Sequence, residues 1–266
     1  MFRKKGLTPL PGDRVRIAVI DENKKTGLIE DILPRESQLL RPAVANVNQL
    51  AIVVAAKNPN PDFLFLDKLF VTTLKKNIPP FICINKIDLD AEKDYIRIIE
   101  AYNKTGYPVI AMSSKTGEGV ETFKGKLYDK ITVLAGQSGV GKSTILNKIA
   151  GSWVMETGEI SEKIKRGKHT TRHIELFELS FGGFVADTPG FSSLELIEIE
   201  ANELQYFYPE FCKYIGMCKF RNCTHISEPE CRIKAEVEAG NIDKGRYIRY
   251  VELFAFLKQK NILNEA

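Results

Sequence analysis

The sequence Ile131-Thr-Val-Leu-Ala135, followed directly by Gly136-Gln-Ser-Gly-Val-Gly-Lys142-Ser143, decides the fold of this chain. The first five residues are mostly apolar, the next eight fit the pattern G-x-x-x-x-G-K-[ST], and residues 142–150 have the apolar spacing of a helix. This order predicts a buried strand, a glycine-rich loop and a helix, with backbone N–H groups at the positive end of the helix dipole binding phosphate. The residues predicted to contact nucleotide phosphates are Gly136, Gln137, Ser138, Gly139, Val140, Gly141, Lys142, Ser143 and Thr144.

Two side chains of this loop have predicted chemical roles. Lys142 is expected to reach the β- and γ-phosphates and to act in catalysis, and Ser143 is expected to ligate Mg²⁺. The alternative is a chance glycine-rich turn, which average residue usage would give in roughly one percent of chains of this length. The motif by itself does not distinguish ATP from GTP.

A second motif, Asn85-Lys-Ile-Asp88, follows the apolar run 80–85 and predicts recognition of guanine. The carboxylate of Asp88 can accept two hydrogen bonds, from the N1–H and the 2-amino group of guanine, and adenine has neither donor. Asn85 is expected to brace the loop, and the stem of Lys86 is expected to cover the base. Alone the motif is short, and its alternative is an ordinary strand-to-helix loop.

A third motif, Ser113-Ser-Lys-Thr-Gly117, also follows an apolar run. It fits a loop that backs a guanine base, with Ser114 where alanine is usual. The expected base contacts are Ser113, Ser114 and Lys115.

The fourth motif is Asp187-Thr-Pro-Gly190, which fits the pattern D-x-x-G after the apolar run 184–186. Asp187 is expected to hold Mg²⁺ through water, and the N–H of Gly190 is expected to contact the γ-phosphate. Between this motif and the glycine-rich loop, the sequence Lys168-His-Thr-Thr-Arg172 offers two threonines that could complete the Mg²⁺ shell. The sequence does not choose between Thr170 and Thr171.

The alternation of apolar runs with helical patterns predicts a doubly wound α/β domain. Each of the four motifs lies at the end of a predicted strand, and ligands of such sheets bind at the carboxyl ends of strands. The base-reading motifs precede the phosphate-binding motifs, the reverse of the usual order. The apolar runs are 50–56, 80–85, 107–112, 131–135 and 184–186, and the helical patterns are 62–76, 92–103 and 142–150.

Outside this domain the sequence predicts smaller units. Residues 15–19 and 27–33 are expected to form a β-hairpin, and residues 173–180 an antiparallel edge strand. Near the C-terminus, residues 203–211 are expected to be helical, and residues 243–260 to form an amphipathic helix that packs on a cysteine-rich loop.

That loop, Cys218-x4-Cys223-x-His225-x5-Cys231, offers three thiolates and one imidazole. This donor set suits one tetrahedral, structural Zn²⁺, and a domain so small would need the metal in order to fold. The alternative is a set of reduced cysteines in a small core. Cys212, a nearby fifth thiol, could be a bystander, and Cys83 is interpreted as a core residue.

Composition limits the classes to which the chain can belong. With 266 residues, 44% of them hydrophobic, it can bury a core and is not wholly disordered. Its longest apolar runs are too short to cross a bilayer, and no apolar stretch follows the basic N-terminal residues. We therefore expect a cytoplasmic protein without a membrane partner, in a reducing compartment where clustered cysteines bind metal.

The four motifs in this order, together with the Cys₃His loop, resemble one family, the RsgA (YjeQ) circularly permuted GTPases that assemble the small ribosomal subunit. The resemblance implies a multi-domain α/β fold: an OB-fold β domain, a circularly permuted P-loop GTPase domain and a small helical zinc-binding domain. The expected limits are 1–42, 43–198 and 199–266. Residues 1–42 look like only the later part of an OB barrel, which normally has five strands.

The resemblance also implies an activity and its partners. We expect GTP hydrolysis late in assembly of the small (30S) subunit, with turnover stimulated by that subunit, by a monomer that binds GTP, GDP and rRNA. His169 is the candidate for positioning the attacking water, because Phe191 follows the D-x-x-G motif where many GTPases have glutamine. Thr171 is a second candidate catalytic residue. The alternative for His169 is an exposed histidine of a basic loop.

Two other functions remain open at this point. One is an RNA-binding protein, stabilised by zinc, that binds GTP as a switch and hydrolyses it at a negligible rate. The other is a GTPase with a non-ribosomal partner.

Overall fold

The structure, a computed structural model, describes residues 8–40, 43–150, 176–186 and 199–264, with the backbone alone for 261–264. Among these residues a six-stranded sheet forms the centre of the molecule, in the order β7-β6-β5-β8-β10-β9. All neighbouring pairs are parallel except β9 and β10, which are antiparallel. The strands are β5 Gln49–Ala55, β6 Pro80–Asn85, β7 Val109–Ala111, β8 Ile131–Ala135, β9 Leu176–Glu178 and β10 Phe184–Ala186.

The strands at the centre of the sheet are buried on both faces, as their continuous apolar sequences predict. Every residue of β5 and β6 is buried. Alternate residues of β5 enter two different cores: Leu50, Ile52 and Val54 lie in one, and Ala51, Val53 and Ala55 lie in the other. The sheet is therefore covered on both sides, and the prediction of a doubly wound α/β domain is confirmed.

Helices form the two outer layers. The helices α1, Phe63–Lys75, and α2, Tyr95–Asn103, cover one face, and α3, Val120–Leu127, and α4, Lys142–Ala150, cover the other. The predicted patterns 62–76, 92–103 and 142–150 match α1, α2 and α4. Helix α3 was not predicted, although its buried residues Val120, Phe123 and Leu127 have helical spacing, because the helix is short and contains Gly125.

The N-terminal part forms the predicted hairpin. Strand β1, Val15–Asp21, pairs antiparallel with β2, Thr26–Ile32. Two further short strands, β3 Gln38–Leu40 and β4 Ala43–Ala45, pair with each other, and Leu39 and Val44 lie in the core beside α1 and α2. Of the five strands of a complete OB barrel, residues 8–32 contain only the hairpin pair.

The C-terminal part is helical, and one prediction here needs correction. The predicted helix 203–211 is two elements, the 3₁₀ helix Ala201–Phe207 and α5, Pro209–Cys212, because Pro209 has no N–H to continue a helix. The last elements are α6, Arg232–Glu238, and α7, Lys244–Asn264. Helix α7 packs on the cysteine-rich loop as predicted, but its Tyr250 and Leu253 share a core with Val71 of α1 as well.

The described helices include none that is long and apolar enough to cross a membrane. The expected domain limits 1–42, 43–198 and 199–266 stay predictions.

Candidate functional site

The glycine-rich loop joins the end of β8 to the start of α4, as its sequence predicts. Two of its glycines have backbone angles and surroundings that exclude a side chain. Gly136 has φ +144°, and a Cβ there would lie 2.1 Å from the backbone oxygen of Val53. Gly141 has φ +98°, and its Cβ would lie 2.4 Å from the side-chain nitrogen of Asn85. The loop is thus pressed against the sheet, which leaves its outer side for a ligand.

Lys142 lies against the backbone of this loop. Its ammonium donates to the carbonyl oxygens of Gly136 and Gln137, each at 2.8 Å. Ser143 is half-buried and Thr144 is exposed, both in the first turn of α4. Phosphate oxygens that enter the loop would therefore meet the Lys142 ammonium beside the N-terminus of an α-helix.

Asn85 connects the three predicted loops with one buried side chain. Its amide nitrogen donates to the backbone oxygen of Val140, at 2.9 Å, in the glycine-rich loop. Its amide oxygen accepts from the backbone N–H of Ser114, at 3.0 Å, in the third motif. The bracing role predicted for Asn85 is consistent with these contacts, which bring residues 55 and 29 positions apart together.

Lys86 and Asp88 lie on the same side of the sheet as the glycine-rich loop. The Lys86 ammonium donates to the Gly139 oxygen at 2.6 Å and also to the Asn58 oxygen. The hydroxyl of Ser113 donates to one carboxylate oxygen of Asp88 at 2.6 Å. Asp88 and Lys115 are exposed, so the carboxylate is oriented by Ser113 and still accessible to a base.

The predicted metal ligands Cys218, Cys223, His225 and Cys231 form one cluster. Their four ligand atoms lie within 4.8 Å of one another. The Nδ1 atom of His225 is 3.6 Å from the Cys218 sulfur and 3.4 Å from the Cys231 sulfur, and those two sulfurs are 3.9 Å apart. A tetrahedral Zn²⁺ with usual bond lengths would separate two sulfurs by about 3.8 Å and sulfur from nitrogen by about 3.6 Å. The residues therefore fit such an ion.

The loop that carries these ligands is held by its own hydrogen bonds. Glu228 accepts from the N–H and the hydroxyl of Thr224, each at 2.7 Å, and from the N–H of Ile226 at 3.0 Å. Burial alone would raise the pKa of Glu228, but these hydrogen bonds outweigh burial and lower the pKa to about 2. The Glu228 carboxylate thus holds the backbone on both sides of His225 through these hydrogen bonds.

Without a metal, burial disfavours the charged forms of three of these ligands. Burial raises the pKa of the Cys223 thiol to about 12 and also raises that of Cys231, while burial lowers the pKa of His225. A bound cation would have to displace the thiol protons.

Comparisons with known proteins agree with this geometry. A family model described as RsgA GTPase matches residues 32–197. A relative from Ruminiclostridium cellulolyticum, named small ribosomal subunit biogenesis GTPase RsgA, is 57% identical, with 97% of this chain and 84% of the relative aligned. A relative of the same name from Alkaliphilus metalliredigens is 44% identical over 97% of this chain and 89% of its own length.

This chain belongs to the RsgA GTPase family. Solved structures agree: Thermotoga maritima YjeQ has a TM-score of 0.77 and 38% identity, covering 95% of this chain and 86% of its own. YloQ, described as a circularly permuted GTPase, has a TM-score of 0.78 and 38% identity, covering 98% and 84%. The resemblance stated from the motifs is confirmed, and so is the permuted P-loop GTPase fold.

Several predicted site residues of this RsgA-family chain lie outside the described residues. They are His169, Thr170, Thr171, Asp187 and Gly190. Of the predicted Mg²⁺ ligands, the structure therefore places Ser143 alone.

The structure also adds residues that the motifs did not indicate. The loop between β5 and α1 lies beside the glycine-rich loop, where Asn58 accepts from Lys86 and Asp62 accepts from the Gln137 amide at 3.2 Å. Asp62 also caps α1 by accepting from the Phe65 N–H at 2.9 Å. Its position at the start of the helical pattern 62–76 was a usable signal for the cap, but not for the contact with Gln137.

Of the remaining thiols, Cys83 is fully buried in β6 and Cys212 is exposed outside the cluster. Burial raises the pKa of Cys83. The position of Cys83 matches its predicted role as a core residue, and the bystander role of Cys212 stays a prediction.

Changing Asn85 to Asp should weaken both the fold and nucleotide binding. The new carboxylate can still accept from Ser114, but it cannot donate to the buried carbonyl of Val140, which loses its partner. A buried group left unpaired costs about 1–3 kcal/mol, so we expect a loss of that size in the free energy of unfolding by urea. Asn60→Asp, at an exposed position of the β5–α1 loop, is the matched control and should leave stability unchanged. Equal stability of the two variants would contradict the bracing role.

Proposed function

We propose that this RsgA-family GTPase hydrolyses GTP during assembly of the small ribosomal subunit and that the subunit stimulates its turnover. The observation that carries the proposal is the buried Asn85 side chain, which joins the predicted base-reading loops to the phosphate loop. The printed names of the relatives, small ribosomal subunit biogenesis GTPase, supply the biological process. Such work takes place in the cytoplasm.

Guanine selection rests on Asp88. Its carboxylate receives the N1–H and 2-amino donors of guanine, while Ser113 holds one of its oxygens. The stem of Lys86 covers the base from the side of the phosphate loop, where its ammonium contacts Gly139. Ser114 and Lys115 back the base from the third loop.

Phosphate binding and hydrolysis rest on the glycine-rich loop and the residues around 170 and 187. Residues 136–144 hold the phosphates, and Lys142 neutralises charge that develops on the γ-phosphate. Ser143, Asp187 and one of Thr170 or Thr171 are the proposed holders of Mg²⁺, which neutralises phosphate charge when bound. Gly190 contacts the γ-phosphate and His169 orients the water. An imidazole can do this by hydrogen bonding, whereas Phe191 cannot.

The Cys₃His cluster is proposed to hold one structural Zn²⁺. Three thiolates and one imidazole at tetrahedral spacing are the donors that this ion prefers. Four protein ligands would fill a tetrahedral coordination shell and leave no position for a reacting water, so the ion would stabilise the C-terminal domain.

The proposed domains are 1–42, partially OB-like, 43–198 for the GTPase, and 199–266 for the zinc-binding domain. The pairing of β3 with β4 crosses the first limit, so the first two domains share a small sheet.

We propose that the chain acts as a monomer and that basic residues contact rRNA phosphates. Affinity for the subunit should then fall as the salt concentration is raised.

Hydrolysis assays with and without purified small ribosomal subunits test this function. We expect the subunit to accelerate GTP hydrolysis by the unaltered chain. His169→Ala should lower the stimulated rate about 10²- to 10⁴-fold without changing GTP affinity, because a positioned side chain contributes that much to proton transfer or water activation. His173→Ala, four residues away, is the matched control.

The outcomes of these assays, together with subunit-binding measurements, distinguish the candidate functions. Stimulation that survives His169→Ala keeps the enzyme and removes His169 from the mechanism. Tight GTP binding with no stimulation would instead favour the RNA-binding switch or a non-ribosomal partner. Affinity for the subunit that depends neither on salt concentration nor on the bound nucleotide would contradict the proposed contact with rRNA.

A further inference from the structure

A glutamine outside the metal loop contacts the nitrogen of His225 that faces away from the thiols. The Nδ1 atom of His225 faces the sulfurs of Cys218 and Cys231, at 3.6 and 3.4 Å. The Nε2 atom on the other side of the ring lies 3.0 Å from the Oε1 atom of Gln205. Gln205 belongs to the 3₁₀ helix Ala201–Phe207, twenty positions before His225.

The orientation of the Gln205 amide is fixed by a second hydrogen bond. Its nitrogen donates to the backbone oxygen of Asn202 at 3.0 Å, so its oxygen is the atom that faces the imidazole. A carbonyl oxygen can only accept, and the imidazole Nε2 must therefore carry the proton. In a neutral imidazole this leaves the lone pair on Nδ1, the atom that faces the thiols.

The rest of the surroundings hold the ring but do not select its tautomer. His225 is 1% exposed, and its ring packs edge-on against Phe211 with the centroids 6.1 Å apart. The hydroxyl of Tyr247 donates to the backbone oxygen of His225 at 2.8 Å. These contacts fix the backbone and the ring plane, so the choice of donor nitrogen rests on Gln205.

We propose that Gln205 is the positioning residue that makes His225 a metal ligand through Nδ1. This inference rests on the metal site of the proposed function and adds a residue from outside the ligand loop. The hydrogen bond makes Nδ1 more basic and holds the ring in the coordinating orientation. It also joins the metal site to the GTPase domain, because Glu203 of the same short helix pairs with Lys75 of α1 at 2.8 Å.

Zinc affinity tests the role of Gln205. The full chain with Gln205→Leu loses the acceptor at similar side-chain volume, and we expect zinc to bind about 10- to 100-fold more weakly in competition with a chromophoric chelator. Gln205→Glu keeps an acceptor oxygen and should restore most of the affinity. Asn202→Leu is the matched control, because it changes an exposed amide of the same helix and retains the backbone oxygen that Gln205 uses.

A second measurement needs no substitution. In the zinc-loaded, ¹⁵N-labelled chain, the ring nitrogens of His225 should show a metal-bound Nδ1 and a protonated Nε2. Coordination through Nε2, or unchanged zinc affinity in a folded Gln205→Leu variant, would overturn the inference. If the unaltered chain fails to bind one zinc ion per molecule, the metal site of the proposed function fails as well, so the two failures are distinguishable.

Discussion

The Asp88→Asn variant is expected to lose most of its affinity for GDP and GTP and to bind xanthine nucleotides in their place. The carboxylate of Asp88 is exposed at the end of the β6 loop and is oriented by the Ser113 hydroxyl at 2.6 Å. Asparagine keeps one acceptor for the base N1–H but places an amide donor opposite the 2-amino donor of guanine. Losing the bond from the 2-amino group to a charged carboxylate costs about 1.5–3 kcal/mol, and two opposed donors left unpaired cost about 1–3 kcal/mol more. We therefore expect affinity for GDP to fall about 10²- to 10⁴-fold.

Xanthine is the informative ligand because it has a carbonyl where guanine has the 2-amino group. The amide donor of the variant can pair with that carbonyl, so its affinity for the xanthine nucleotide should exceed its affinity for GDP. Equilibrium titrations with both diphosphates measure this preference. Asp94→Asn, at an exposed carboxylate before α2, is the control and should bind GDP as the unaltered chain does. Equal weakening for both nucleotides would indicate a collapsed loop and would contradict base reading by Asp88.

The sheet could be predicted from the sequence because strands buried on both faces are nearly continuous apolar runs. Gln49–Ala55 and Pro80–Asn85 are nearly continuous apolar runs, and both are central strands with every residue buried. The first and last residues of the strands were harder to predict. The apolar run 107–112, for example, contributes only Val109–Ala111 to the sheet. Boundaries depend on which backbone groups find partners in neighbouring strands, and that is a property of the assembled sheet.

Some features of the candidate site could likewise be predicted from the sequence, and others could not. The motifs could be found from sequence because each needs particular residue types at fixed spacing, as at Gly136–Ser143 and in the Cys₃His loop. The contacts that join them could not, because Asn85 reaches Val140 across 55 positions through the pairing of β6, β5 and β8. The contact of Gln205 with His225 could not be predicted for a related reason, because a glutamine twenty positions before a histidine belongs to no metal-binding motif.

The contact of α7 with α1 and α5 could not be predicted from residue spacing either, and it contains a buried charge cluster. Arg246 of α7 is fully buried and donates twice to Glu210 of α5, at 2.7 and 3.2 Å, and once to Asp67 of α1. Asp67 also accepts from Arg249 and from the hydroxyl of Tyr102. Burial alone would lower the pKa of Arg246, but Asp67 and Glu210 outweigh it and hold that pKa well above its ordinary value.

Replacing Arg246 with Met should therefore be the most destabilising of the substitutions considered. Methionine fills similar space among Tyr208 and its neighbours, but it leaves Glu210 buried without its cation and Asp67 with one cation in place of two. Breaking a buried pair on one side costs about 3–5 kcal/mol, and we expect the free energy of unfolding by urea to fall by that amount.

Two further variants separate the charge effect from loss of packing. Arg14→Met removes an ion pair with Glu36 in which both side chains are 63% exposed, and such a pair contributes less than about 1 kcal/mol. Adding Glu210→Gln to Arg246→Met removes the stranded charge and should recover part of the lost stability, because the penalty comes from an uncompensated carboxylate. An Arg246→Met loss no larger than that of Arg14→Met would contradict this account of the cluster. A double variant less stable than Arg246→Met alone would assign the effect to packing.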